Sequence, residues 1–272
     1  MPYATPLEAK IAKRVTKAIT DFNLIEDGDR VMVGLSGGKD SWALFQILDV
    51  LRQRAPIGFS LVAVTVDSGY DGYRHDLISK TCEARAWEYR IVHTEIGQTI
   101  DELLEENGTP CSLCARFRRG VLYRLATEVG ATKIALGHHL DDFIETLLLN
   151  LFFAGALKAM PARLVSDNGE HVVIRPLVGV TEADARNYAK ASGLPIIGCC
   201  CPACGDLSLQ RQRVKRLIAE LEVEHPEIKN SMIRALGNVV SRHLLDRRLH
   251  PLPELAPAAL HAGALPLPVV KR

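Results

Sequence analysis

From Arg30 onward the chain repeats one pattern, in which a short apolar run with the composition of a buried strand is followed by a stretch with helical spacing. Runs at Arg30–Leu35, Ser60–Asp67, Tyr89–His93, Lys133–Leu136, His171–Pro176 and Leu194–Ile197 predict strands. Between them Ser41–Arg52, Arg74–Trp87, Ala115–Val129, Asp141–Phe153 and Glu182–Ala191 predict helices. Alternation of this kind, with strands apolar on both faces, predicts an α/β fold built on a doubly wound, mostly parallel sheet covered by helices. Ligands of such sheets collect beyond the carboxyl ends of the strands, so the segments that follow Leu35 and Asp67 form the candidate site.

The flanks read differently. Leu7–Phe22 predicts an amphipathic helix, with Ile11, Val15, Ile19 and Phe22 on one stripe and Lys10, Lys13, Arg14 and Lys17 on another. Leu207–Leu221 and Ile228–Leu245 predict two further helices, and the tail from His250 carries Pro251, Pro253, Pro257, Pro266 and Pro268, which suit neither helix nor strand. The expected division is an N-terminal helical extension (1–28), a nucleotide-binding domain (29–205), C-terminal helices (206–248) and a disordered tail (249–272). No apolar run reaches the roughly 18 residues of a membrane span, and Met1–Thr16 lacks a signal-peptide core, so the expectation is a cytoplasmic protein that makes no membrane contact. A reducing compartment turns attention to the seven cysteines as metal ligands or reactive thiols rather than disulfides. With 33 Lys and Arg against 32 Asp and Glu, charge gives no global argument for a nucleic-acid partner, and any such surface must be local.

Val31–Ser41 reads as a strand, a glycine turn and a helix start. Gly37 and Gly38 let the backbone approach phosphate oxygens, and the helix N-terminus offers unpaired N–H groups to an anion. Ser36 and Ser41 add hydroxyl donors, Lys39 adds positive charge, and Asp40 is placed to hold a Mg2+ ion that bridges the phosphates. Val33 stands where a Walker A loop requires glycine. The hexapeptide Ser36–Ser41 instead resembles the pyrophosphatase loop of the N-type ATP pyrophosphatases, which cleave ATP to AMP and pyrophosphate and adenylate a carbonyl oxygen. A second element, Ala135–Asp142, also follows a strand and opens a helix. Gly137 there permits close approach of the nucleotide, while Asp141 and Asp142 are either functional carboxylates or acids that cap the helix. His138 and His139 read more readily as packing or hydrogen-bonding residues than as bases.

Cys111-x-x-Cys114 is one cysteine pair, and Cys199-Cys-Cys201-Pro-Ala-Cys204 contains another. Four thiolates of this kind suit zinc, and three or four suit an iron–sulfur cluster. Cys82, within a predicted helix, reads as a small buried residue. Arg116, Arg118, Arg119 and Arg124 follow the first pair, and Arg211, Arg213, Lys215 and Arg216 follow the second, a local charge that suits RNA as well as it suits solvated helix faces.

Both loops and both cysteine groups together resemble the tRNA 2-thiocytidine synthetases, or tRNA-cytidine 2-sulfurtransferases, of the PP-loop ATP pyrophosphatase superfamily. The likeness runs from about Leu7 to Asp246. It is closest in Gly34–Ser41, Cys111–Gly120, Ala131–Asp142, Met160–Pro176, and Cys204 with Leu209–Gln212. The resemblance implies a [4Fe-4S] cluster held by Cys111, Cys114 and Cys204, with Cys201 as second choice for the third ligand. It implies ATP held by Ser36, Gly37, Gly38, Lys39, Asp40, Ser41, Asp67 and Gly137, with Asp40, Asp141 and Asp142 catalytic. The implied reaction adenylates the C2 carbonyl oxygen of a cytidine in the anticodon loop (position 32), and sulfur then displaces AMP. The implied partners are tRNA and a sulfur donor such as a cysteine desulfurase, with a homodimer left open. The alternatives are a 2-thiouridine-type thiolase or a non-catalytic ATP and iron–sulfur redox sensor. A related uridine-thiolating family is expected to carry cysteine groups at both ends, and no cysteine here precedes Cys82 or follows Cys204.

Overall fold

The computed structural model describes residues 2–103, 110–198, 200–201 and 210–249, apart from the side chains of Cys111 and Ser112. Its strands are β1 (Arg30–Gly34), β2 (Ser60–Asp67), β3 (Tyr89–His93), β4 (Lys133–Ala135), β5 (Arg163–Val165) and β6 (Val172–Ile174). Its helices are α1 (Pro6–Phe22), α2 (Lys39–Arg52), α3 (His75–Ala84), α4 (Ile96–Leu103), α5 (Pro110–Glu128), α6 (Leu140–Phe153), α7 (Glu182–Ala191), α8 (Gln210–Glu224) and α9 (Ile228–Leu236). The strands form one sheet in the order β3-β2-β1-β4-β6-β5. Neighbours are parallel except for β5, which runs antiparallel to β6.

The central strands are buried on both faces, as their apolar runs require. Val31, Val33, Leu61 and Ala63 face one core together with Trp42, Phe45 and Leu48 of α2, while Met32, Val62 and Val64 face a second core with Leu125 and Ala126 of α5. This is the period-2 alternation of a strand applied to two apolar layers. From β1 the chain moves outward to β2 and β3, then returns to the other side of β1 as β4. The order therefore reverses between β1 and β4, and the crevice at their carboxyl ends is where such a sheet binds its ligand.

The expected N-terminal extension is built into the first core. Thr5 caps α1 by accepting the Glu8 N–H, Pro6 fits the first turn, and Ile11 and Val15 are fully buried. Burying each of those side chains contributes roughly 1.5–3 kcal/mol by transfer alone, which exceeds the worth of the surface ion pairs that α1 also makes. Helix α8 is anchored likewise, with Val214 and Ile218 against Leu140, Ile144 and Leu148 of α6.

Several local expectations are corrected. Helix α5 begins at Pro110 rather than Ala115, because proline is at home in a first helical turn, and the Cys111–Cys114 pair therefore lies inside the helix. Helix α4 and the exposed edge strand β5 were not anticipated, since each is short and carries little periodicity. Leu194–Ile197 joins no strand: Pro195 lacks an N–H, its carbonyl accepts from Trp42 Nε1 at 2.7 Å, and Ile197 N–H donates to the Gly37 carbonyl at 2.9 Å. The last expected helix, Ile228–Leu245, stops at Leu236 before Gly237, and only a 3-10 turn at Ser241–His243 follows. The chain divides into compact units at 1–233 and 234–272, and the tail from His250 lies outside the described residues.

Candidate active site

β1 delivers the chain into Ser36–Gly38, which turns into the N-terminus of α2. Gly37 has φ +75°, and a Cβ there would stand 2.8 Å from Ile197 Cδ1, so both backbone and space demand glycine. The serines shape the loop from within. Ser41 Oγ accepts the Ser36 N–H at 3.1 Å and donates to the Gly38 carbonyl at 2.9 Å, and it lies 3.2 Å from Ser36 Oγ. Gly38 is the N-cap of α2 and brings no side chain to its first turn, leaving that turn's N–H groups to an incoming anion.

Lys39 lies between Asp40 at 2.9 Å and Glu182 at 3.1 Å. Burial acts to lower the lysine's pKa, but the two carboxylates outweigh it and hold the group above its ordinary value. Glu182 is correspondingly held as an anion: burial works against the charge, yet Lys215 and Lys39 bring its pKa down to about 2. Asp40 Oδ1 is buried with no hydrogen-bond partner among the described residues. An orphaned carboxylate oxygen beside a phosphate loop is the donor a Mg2+ ion requires.

The loop after β4 packs directly on this one. A Cβ on Gly137 would lie 3.0 Å from both Asp40 C and Ser41 N, so the glycine serves the close approach of the two loops. His138 Nδ1 accepts from Arg175 Nε at 3.2 Å, which leaves its proton on Nε2, and burial with the adjacent Arg175 pushes its pKa down to about 4. Asp142 caps α6 by accepting the His139 N–H at 3.0 Å, and its other oxygen meets Arg211 at 3.3 Å. Asp141 accepts the Glu182 N–H at 2.7 Å and pairs with Lys229 at 2.9 Å. The capping reading of these acids thus holds at least in part, while Asp142 also lines the crevice. That crevice has a volume of about 350 Å³, within the usual range for small-ligand sites, and runs from Gly34 and Ser36 across Asp40 to Gly137, His138 and Asp142.

A second cleft of about 220 Å³ adjoins it and contains Cys114, Cys200 and Cys201 together with Tyr70 and Asp67. Ser36, Gly38, Val66 and Arg118 line both, so the two spaces share one wall. Cys111 lies in α5 one turn before Cys114, and its side chain, like Cys204, is outside the described residues. Burial and the nearby Cys201 raise the Tyr70 hydroxyl above its ordinary pKa. Cys82 is a core residue, with burial pushing its thiol to about 11. Asp67, expected at the nucleotide, lines the second cleft beside Ser36 and Gly38, accepts the Gly69 N–H at 3.0 Å and approaches His93 at 2.9 Å. The second basic cluster is partly committed inside the protein: Arg211 pairs with Asp142 and Glu145, and Lys215 with Glu182. Sequence reasoning missed Glu182, Arg175 and Tyr70. Glu182 looks like an ordinary first-turn acid of α7, and no spacing signal relates it to Lys39.

A protein-family profile for the PP-loop domain matches residues 7–220. The tRNA-cytidine(32) 2-sulfurtransferases of Geobacter metallireducens and Syntrophotalea carbinolica are 51% and 52% identical over 240 residues, covering 88% of this chain and 93% of each relative. Among solved structures, the U34-tRNA thiolase NcsA from Methanococcus maripaludis with its [4Fe-4S] cluster matches with a TM-score of 0.68 at 27% identity, covering 90% of this chain and 80% of that one. Phosphate loop, adjoining cysteines and sequence identity agree that the chain belongs to the PP-loop family of tRNA-cytidine(32) 2-sulfurtransferases.

Proposed function

We propose that this protein converts cytidine 32 of tRNA to 2-thiocytidine in two displacements, adenylating the C2 carbonyl oxygen with ATP and then exchanging AMP for sulfur. The observation that carries the reading is the shared wall between the phosphate crevice and the cysteine cleft, where activation and sulfur delivery meet at Ser36, Gly38 and Arg118.

In the first step the base oxygen attacks the α-phosphorus and pyrophosphate departs. The α2 N-terminus and Lys39 stabilise the charge that gathers on the departing phosphates, and Asp40 would hold a Mg2+ ion, which would supply further positive charge there. His138 Nε2–H is a neutral donor at the crevice wall, suited to steadying an oxygen without adding a charge. In the second step a sulfide sulfur adds to C2, AMP leaves with the C2–O electron pair, and C2=S remains. A carbonyl oxygen alone leaves poorly, whereas as part of AMP it leaves readily, which is why the ATP site must adjoin the sulfur site. Arg118, reaching both spaces, is placed to hold the phosphate of the activated base.

Cys114, Cys200 and Cys201 of the cleft suit an iron–sulfur cluster, whose ligands we assign to Cys111 and Cys114 of α5 and to Cys204, with Cys201 as second choice. Held by three of these cysteines, such a cluster would supply iron to carry the transferable sulfur, which a donor such as a cysteine desulfurase would provide. No described helix is long and apolar enough to cross a membrane, and a tRNA substrate supports a cytoplasmic location.

Nucleoside mass spectrometry of tRNA from cells lacking the gene tests the choice of base. Loss of 2-thiocytidine, restored by the wild-type gene, is expected; intact 2-thiocytidine with loss of 2-thiouridine would assign the protein to the other base.

A further inference from the structure

β2 and β3 end side by side, and in their parallel register Asp67 stands opposite His93. The chain leaving β2 turns through Ser68–Arg74 and returns at His75, the first residue of α3. Three ligand-bearing side chains thus converge at one corner of the sheet although Asp67, His75 and His93 come from different elements. Asp67 Oδ2 lies 2.9 Å from His93 Nδ1 and 3.5 Å from His75 Nδ1. The two imidazoles meet edge to face with centroids 4.9 Å apart, and one ligand atom from each residue falls within 4.8 Å of the others.

Two further observations point to a ligand. The Asp67 carboxylate is fixed, since its Oδ1 accepts the Gly69 N–H at 3.0 Å and leaves Oδ2 to the histidines. His75 Nδ1 is buried and makes no hydrogen bond among the described residues, although it faces that oxygen. A buried ring nitrogen without a partner costs stability in proportion to its lost hydration, and a cation between it and the carboxylate removes that cost.

We infer that Asp67, His75 and His93 form a binding site for a divalent first-row transition metal that uses none of the cysteines as ligands, although Asp67 also lines their cleft, and that is distinct from a Mg2+ ion at Asp40. Two imidazoles and one carboxylate suit zinc, cobalt or ferrous iron; Mg2+ and Ca2+ prefer oxygen alone. Both imidazoles are partly exposed, so water can complete the coordination. The site also has a structural consequence. Asp67 and His75 bracket the Ser68–Arg74 turn, which carries Tyr70 to the cysteine cleft and Tyr73, whose hydroxyl donates to the Ser36 carbonyl at 3.1 Å. A metal joining the two ends of that turn would pin a wall shared by the sulfur cleft and the phosphate loop.

The test is calorimetric titration of Zn2+ alone into the full-length, cluster-loaded protein under anaerobic conditions, where the cluster's cysteines are already engaged. The wild type is expected to bind one equivalent. His75→Ala and His93→Ala, both at partly exposed positions, should each weaken that binding tenfold or more, as loss of a direct ligand requires, with iron content and the circular-dichroism melt of the zinc-free protein unchanged. No saturable zinc binding by the wild type, or equal affinity in both variants, would overturn the site. Thiolation is not the readout, so this outcome is independent of the proposed reaction.

Discussion

Replacing Cys114 by Ala is expected to abolish tRNA thiolation and to leave an anaerobic preparation pale, with far less iron than the roughly four atoms of one cubane cluster. The loss should be chemical, not a failure to fold. Cys114 lies within α5, a helix anchored by Leu125 and Ala126 in the second core, and its own packing is only partial. Alanine is the best helix former, so α5 should persist, and ATP binding in the adjoining crevice should survive. Cys111→Ala and Cys204→Ala should behave alike, whereas Cys82→Ala, Cys199→Ala and Cys200→Ala should remain active. Iron analysis with a thiolation assay decides the matter. A brown, active Cys114→Ala protein would move the cluster out of this cleft. An active Cys204→Ala beside a dead Cys201→Ala would make Cys201 the third ligand.

Asp40→Asn should leave iron content unchanged but slow AMP formation about 100-fold or more, the scale on which preorganised electrostatic groups act. The substitution keeps the shape of the side chain and removes its charge. Lys39 then keeps Glu182 as its carboxylate partner, and the orphaned oxygen offered to Mg2+ loses its anionic character. Rates measured across a range of Mg2+ concentrations should show a raised Mg2+ requirement. A full rate with unaltered Mg2+ dependence would remove Asp40 from the reaction.

The sequence was most legible where composition and local geometry coincide. The strands β1 and β2 are nearly continuous apolar runs, and the glycine turn after Leu35 can only be followed by a helix that offers its N–H groups outward, so the phosphate crevice could be located before its shape was known. What stayed hidden depends on contacts between distant segments. Gly137 lines the crevice as a residue meant to admit a nucleotide would, and its small size is also needed by the backbone of Asp40 and Ser41, which no local pattern shows. Glu182 and Lys215 become part of the site only because α7 and α8 fold back across it. Asp67 was named from its place at a strand end, while its partners His75 and His93 come from α3 and β3, whose convergence no local pattern announces.

Coupling between ATP cleavage and sulfur transfer is tested most directly by single-turnover product analysis. Anaerobic, cluster-loaded protein is mixed with unmodified tRNA transcript, ATP, Mg2+ and sulfide, and nucleotides and nucleosides are quantified from the same sample. AMP, pyrophosphate and 2-thiocytidine are expected in equal amounts; ADP with phosphate, or 2-thiocytidine formed without AMP, would contradict adenylation of the base.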